Sequence, residues 1–168
     1  MARLILDHIH VYARDPDATV AFYEAHFDAR MFGEKPNERG LPLQFVSLGG
    51  QTLVVGPFPT ELSPGDPPDA KNGAYAHGFG VAHLGLNVDD LDDRVRRLTA
   101  AGVEILTPPT QSSGLRYAYI AAPDGVVLEL TEYQVGRLAP ALRIARRVYS
   151  AASKVQTAIA AGALKALK

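Results

Sequence analysis

The 168-residue sequence has no cysteine. Disulfides, thiolate nucleophiles and zinc–thiolate centres are therefore excluded. It also lacks any apolar run of about 18 residues, so no membrane-spanning helix is expected. The opening stretch Met1–His8 acquires charge early and does not read as a signal peptide, which makes a cytoplasmic protein the expectation. A third absence is local. Residues 134–168 contain seven basic residues (Arg137, Arg143, Arg146, Arg147, Lys154, Lys165, Lys168) and no acid. The body before them holds 17 − 7 = 10 basic against 18 acidic residues, a formal −8. This asymmetry points to a basic tail that docks on an acidic surface, its own or a partner's. Nucleic acid is not an expected partner, because the acidic body would repel phosphate. What remains is an ordinary globular composition, 47% hydrophobic and 21% charged, long enough to bury a core without staples.

The main positive signal is a repeat. His8 stands in a short alternating apolar run and Asp15 follows seven residues later; His83 and Asp90 repeat the arrangement 75 positions on. A histidine-bearing strand that recurs once in a small domain suggests a two-fold site with ligands from both halves. Leu6, His8, His10 and Tyr12 alternate onto one strand face. Asp15-Pro16-Asp17 reads as a helix start, with an acidic cap and proline in the first turn. Ala29–Phe32 reads as a short strand and Gly33–Gly40 as a loop. Leu43–Leu48 and Thr52–Val55 form a hairpin that turns at Gly49-Gly50.

Five prolines and two glycines fill residues 57–73, too many for regular structure. Residues 57–79 are read as a linker or lid, with Tyr75, His77 and Phe79 at its end. A strand over Val81–Val88 follows, then a helix from Asp89-Asp90 to a stop at Gly102. Val103–Leu106 is the next strand, Thr107–Gly114 a loop. Arg116–Ala121 and Val126–Thr131 form a hairpin around Pro123-Asp124-Gly125. The expected fold is α+β, with β-α-β-β-β twice: a first module over 1–56, the linker 57–79, a second module over 80–133 and a basic amphipathic helix over 134–168. Without gaps, the offset of 75 sets Asp17 on Asp92, Gly50 on Gly125, Gln44 on Tyr119 and Val54 on Glu129. The last helix carries an apolar stripe of Leu138, Leu142, Ala145, Val148/Tyr149, Ala152, Val155, Ile159 and Ala163. That stripe is expected to pack on the body or on a dimer mate. A membrane-surface helix and a lid over the cavity are the other readings.

His8 to Asp15 followed by Ala-Phe-Tyr, His83 to Asp90, and Pro123-Asp124-Gly125 before Glu129-Leu130 resemble the vicinal oxygen chelate superfamily. This group includes glyoxalase I, methylmalonyl-CoA epimerase, fosfomycin-resistance thiol transferases, bleomycin-binding proteins and extradiol dioxygenases. The resemblance covers residues 3–133. It implies paired βαβββ modules whose sheets form an incomplete barrel around a metal site. It also implies His8, His83 and Glu129 as ligands, with the fourth slot on Val54, which cannot bind a metal. Two imidazoles and one carboxylate suit a divalent Fe, Mn, Co, Ni or Zn ion and leave positions for substrate oxygens.

Around these ligands, His10 is a candidate general base, and Tyr117 and Tyr119 are candidate catalytic groups on the cavity face. Gln44, Asn87 and Tyr117 are candidate substrate contacts. Gly85 removes bulk between His83 and Asn87. Arg116 is expected on the opposite face of its strand. The absence of a carboxylate at Val54 argues against standard glyoxalase I chemistry. The absence of a histidine among Thr110-Gln111-Ser112 argues against the extradiol pattern, which stays as an alternative with His10 or His77 as a replacement. The expected protein is thus a metal-dependent lyase, isomerase or transferase acting on a small oxygenated metabolite as a homodimer. The alternative from another class is a metal-free protein that sequesters a natural product.

Overall fold

A computed structural model describes residues 6–37, 39–58, 81–112, 114–134 and 139–166. The linker residues Tyr75, His77 and Phe79, and Leu138 of the tail, lie outside the described residues. The chain divides into two compact units, Met1–Ser63 with Leu142–Lys168, and Pro64–Ala141.

In the first unit, β1 (His8–Ala13), α1 (Pro16–Phe27), β2 (Arg30–Pro36), β3 (Pro42–Leu48) and β4 (Gln51–Pro57) form a four-stranded sheet in the order β1-β4-β3-β2. β1 runs parallel to β4, and the other pairs are antiparallel. The second unit repeats this with β5 (Leu84–Asn87), α2 (Leu91–Ala100), β6 (Ile105–Ser112), β7 (Leu115–Ala121) and β8 (Val127–Tyr133) in the order β5-β8-β7-β6. The fold is α+β, two βαβββ units followed by a long C-terminal helix, α3 (Ala139–Ala166).

The helix starts follow the sequence signals. The Asp15 carboxylate accepts from the Ala18 amide at 3.0 Å, and that of Asp90 from the Asp93 amide at 2.9 Å. Each cap satisfies a donor that the first turn would otherwise leave unpaired. α2 stops where Gly102 takes a positive φ of 79° and lets the Val103 amide reach back to the Leu98 carbonyl at 2.9 Å.

Two edge strands depart from the sequence reading. β2 and β6 run through stretches expected to be loops. Both lie at a sheet edge and both carry register shifts, between Met31 and Gly33 and between Ile105 and Thr110. Pro108 and Pro109 cannot donate to a ladder, which an edge strand with an irregularity tolerates.

Each sheet buries one face against its own helix. Val46, Leu48, Leu53 and Val55 pack with Val20, Tyr23 and Phe27 of α1; Ala118, Ile120, Leu128 and Leu130 pack with Leu91 and Leu98 of α2. The histidines stand on the other faces. In the first unit that face also receives α3. Thr157 Oγ1 lies 3.1 Å from Ser47 Oγ, Tyr149 Oη 3.2 Å from Gln51 Nε2, and Leu164 lies over Gly33.

This placement corrects one of the two packings expected of the tail stripe, that on the body. Val148, Val155 and Ile159 do not pack on the body but are 64%, 60% and 68% exposed. The half-buried side of α3 is instead its small and polar one, with Ser153, Thr157, Ala160, Ala161 and Leu164.

Candidate functional site

The open face of the second sheet carries the larger concentration of chemistry. β5 lies parallel to β8, with Gly85 opposite Glu129 and Asn87 opposite Thr131. β7 lies on the other side of β8, with Tyr119 opposite Glu129 and Tyr117 opposite Thr131. Alternation therefore sends His83, Asn87, Glu129, Thr131, Tyr117 and Tyr119 to one face. His83 Nε2 comes within 3.2 Å of Glu129 Oε2, with side chains only 29% and 20% exposed. The His83 ring stacks at a tilt on Tyr119 with centroids 5.4 Å apart, and Tyr119 meets Tyr117 edge-on at 5.5 Å. His83 Nδ1 is buried without a hydrogen-bond partner. Asn87 is held by Thr131, its amide donating to the backbone carbonyl at 2.9 Å and to Oγ1 at 3.3 Å. Thr131 escaped the sequence reading; its signal was alternation, two residues beyond Glu129. A Cβ at Gly85 would sit 3.9 Å from Glu129 Oε2, so this glycine leaves room beside the carboxylate without being sterically required.

The matching face of the first sheet is more apolar. Rows across it read His8–Thr52–Ser47, His10–Val54–Phe45 and Tyr12–Gly56–Leu43. His8 bonds through Nδ1 to its neighbour Asp7 at 2.8 Å and stays about half exposed. The His10 ring lies 4.8 Å from that of Tyr12, which meets Phe58 edge-on at 5.3 Å. Loss of solvent around His10, and the neighbouring His8, push its pKa below the ordinary imidazole value. Val54 is 3% exposed between His10 and Phe45.

Gln44 is not on this face. It is 6% exposed on the α1 side, where its amide donates to Asp17. The cause is a one-residue slip in the repeat. The β3–β4 turn has two residues, Gly49-Gly50, between the paired Leu48 and Gln51. The β7–β8 turn has three, Pro123-Asp124-Gly125, between Ala122 and Val126, whose backbones bond at 2.8 Å. The offset of 75 holds for β1 and β4, but β3 follows an offset of 74. Phe45, not Gln44, occupies the place of Tyr119, and one residue of slip turns every side chain to the opposite face.

Arg116 stands on the α2 side as expected, bonded to Asp92 at 2.6 and 2.8 Å and to Glu132 at 3.2 Å. These contacts hold the Asp92 carboxyl below its ordinary pKa and the guanidinium above its own. On the edge strand, Thr107 faces Tyr119 and Thr110 faces Tyr117. An extradiol-type histidine is absent from these places.

The second unit thus brings together His83, Glu129, Tyr117, Tyr119 and Asn87, while the first holds His8 and His10 side by side on their own sheet. Among the described residues, neither unit by itself gathers three metal-ligating side chains. The His83–Glu129 pair, one imidazole and one carboxylate with nitrogen and oxygen 3.2 Å apart, is a donor set that fits half of a divalent metal site.

Comparison with known proteins agrees with this architecture. Glyoxalase I of Saccharomyces cerevisiae is 25% identical over 150 residues, which cover 77% of this chain and 45% of that protein. The chain thus spans about half the length of this curated relative. An antibiotic-binding protein from Streptomyces sp. CB03234, TnmS3, superposes with a TM-score of 0.60 at 23% identity, covering 79% of this chain and 98% of the other. A point mutant of the fosfomycin resistance protein FosX of Listeria monocytogenes, in complex with Mn(II) and 1S,2S-dihydroxypropylphosphonic acid, gives 0.56 at 19% identity, over 84% and 99% of the two chains. Residues 5–130 match the model of one family, and the chain belongs to the Glyoxalase/Bleomycin resistance protein/Dioxygenase superfamily.

Proposed function

We propose that the protein is a metal-dependent enzyme that binds a small oxygenated metabolite through two oxygens and carries out lyase, isomerase or transferase chemistry. The observation that carries this reading is the approach of His83 Nε2 to Glu129 Oε2 beside the Tyr117–Tyr119 wall. His83 and Glu129 would hold a divalent Fe, Mn, Co, Ni or Zn ion. His8 is the proposed third ligand, from this chain or from a second copy in a homodimer. When bound, such an ion supplies a Lewis acid for the substrate oxygens. The family likeness supports this role, and the Mn(II) complex of the FosX neighbour shows that one relative of this fold takes such an ion.

The chain's own groups have separable tasks. The Tyr119 hydroxyl, on a ring that packs against His83, donates a hydrogen bond to the substrate. Tyr117 extends the aromatic wall for a planar part of the ligand. Asn87, its amide already committed to Thr131, offers its side-chain oxygen as an acceptor. His10 is the proposed general base, its ring held against Tyr12. The buried, apolar Val54 offers no second carboxylate to serve as a mobile base, and this argues for chemistry other than that of lactoylglutathione lyase.

The deciding experiment measures transition metals in protein purified without chelator, alongside His83→Ala and Glu129→Gln. The expected result is stoichiometric metal in the parent chain and a loss of at least tenfold in affinity in each variant, since removing even a residue that only supports a ligand costs about ten- to a hundredfold. Equal metal content in all three would sink the reading. Metal-free parent protein that binds aromatic ligands would favour sequestration, the reading to which the Tyr117–Tyr119 wall and the TnmS3 likeness lend support.

A further inference from the structure

α3 packs with the less apolar of its sides. At about 100° per residue, Ile144, Val148, Val155 and Ile159 fall within about 60° of one another. All four are at least 60% exposed. The half-buried residues Ser153, Thr157, Ala160, Ala161 and Leu164 lie nearly opposite. A helix that merely completed the body would bury its β-branched stripe and expose its serine and threonine. Here the contacts run the other way, through Thr157 to Ser47, Tyr149 to Gln51 and Leu164 over Gly33. The stripe extends for about 22 Å along the helix at 1.5 Å per residue. Arg147, Lys154 and Lys165 fall along one border of it, all exposed. From residue 134 to the end the sequence contains no aspartate or glutamate.

We propose that α3 docks the protein on an anionic bilayer surface, with the stripe of Ile144, Val148, Val155 and Ile159 facing the lipid. A second copy of the chain fits this face less well. Pairing two α3 helices would set their basic rows side by side, with no acid on either helix to neutralise them. Among the described residues, the rest of the chain offers no matching apolar patch either. Of the ten large apolar side chains exposed among the described residues, five belong to α3; of the others, Tyr12, Met31 and Tyr133 lie on three different strands and Leu6 and Val81 outside any element. An anionic lipid surface supplies both complements at once, an apolar layer for the stripe and negative headgroups for the basic border. No described helix is long and apolar enough to cross a membrane, so the contact is one that lies on the surface.

The test is co-sedimentation of the full chain with phosphatidylcholine vesicles, with and without about one-third phosphatidylglycerol. Expected are binding at least tenfold stronger to the anionic vesicles and weakening by salt. The Val155→Asp/Ile159→Asp variant should bind at least tenfold less. Both substituted positions are exposed, so its thermal midpoint should match the parent's. A second variant, Lys154→Glu, leaves the stripe intact and should weaken binding to anionic vesicles alone. The proposal is overturned if the parent chain stays in solution with both vesicle types, or binds them equally. It is also overturned if light scattering shows a dimer that Val155→Asp/Ile159→Asp splits while vesicle binding is absent.

Discussion

His8 opens β1 and His83 stands just before the equivalent β5, yet the two keep different company. His8 is paired with the adjacent Asp7, and the neighbouring row of its face holds Val54 and Phe45. His83 meets Glu129 and Tyr119. Two of the three proposed ligands therefore lie in the second unit, and Tyr119 provides a test at this scale. Tyr119→Phe keeps the ring against His83 and removes only the hydroxyl. Metal content should stay unchanged, while turnover of a chelating substrate falls by roughly ten- to a hundredfold, the size of losing one hydrogen bond to a charged group. Equal turnover in parent and variant would remove Tyr119 from the catalytic set. Gln44 makes the converse case. Its amide ties β3 to Asp17 near the start of α1, so Gln44→Leu should cost about 1 kcal/mol of stability and leave ligand affinity unaltered in a titration. The spacing of His8, His83 and Glu129 was legible because β1 and β4 keep the offset of their counterparts. The role of Gln44 was not, because one extra turn residue shifts β3 by one position and reverses its faces.

Elements were legible where local chemistry specifies them. α1 and α2 both begin at an aspartate cap, and Asp15→Ala should lower stability by about 1 kcal/mol in denaturant unfolding. The edge strands β2 and β6 were legible only in their first residues; their continuations, through Gly33 and through Pro108-Pro109, read as loops because only pairing with a neighbouring strand holds such stretches extended. The tie between α2 and its sheet was hidden as well. Arg116 reaches across to Asp92 on the helix and to Glu132 on β8. Because the folded state depresses the Asp92 pKa, it binds fewer protons there than the unfolded chain does. The contribution is present in full above the ordinary aspartate pKa and fades as the pH falls through the lower, folded value. Thermal midpoints measured from pH 7 down to 2 should fall more steeply for the parent chain than for Asp92→Asn in the acid range below about pH 4. Parallel profiles would mean that the ion pair adds nothing to folding.

At the scale of the whole chain, the two units share a scaffold and divide the work. The open face of the first sheet bears Val54, Phe45 and the contacts of α3, and its chemistry reduces to His8 and His10. That of the second bears a carboxylate, a histidine and two tyrosines. Such asymmetry is what a repeat shows when one copy gathers polar side chains on its open face and the other covers that face with a helix. α3 belongs to the first unit in its contacts, so removing it should affect that unit alone. In a chain ending at Tyr133, Ser47 and Gln51 lose their partners and the side of the sheet at Gly33 and Gly50 is uncovered. Backbone amides of β2, β3 and β4 should then exchange at least tenfold faster with deuterium, whereas those of β7 and β8 keep their protection, since local opening follows local packing. Uniform acceleration across both sheets would show that the helix stabilises the chain globally. Unchanged exchange in β3 would show that α3 rests on the sheet without supporting it, and would leave the surface-docking role as the reason for its sequence.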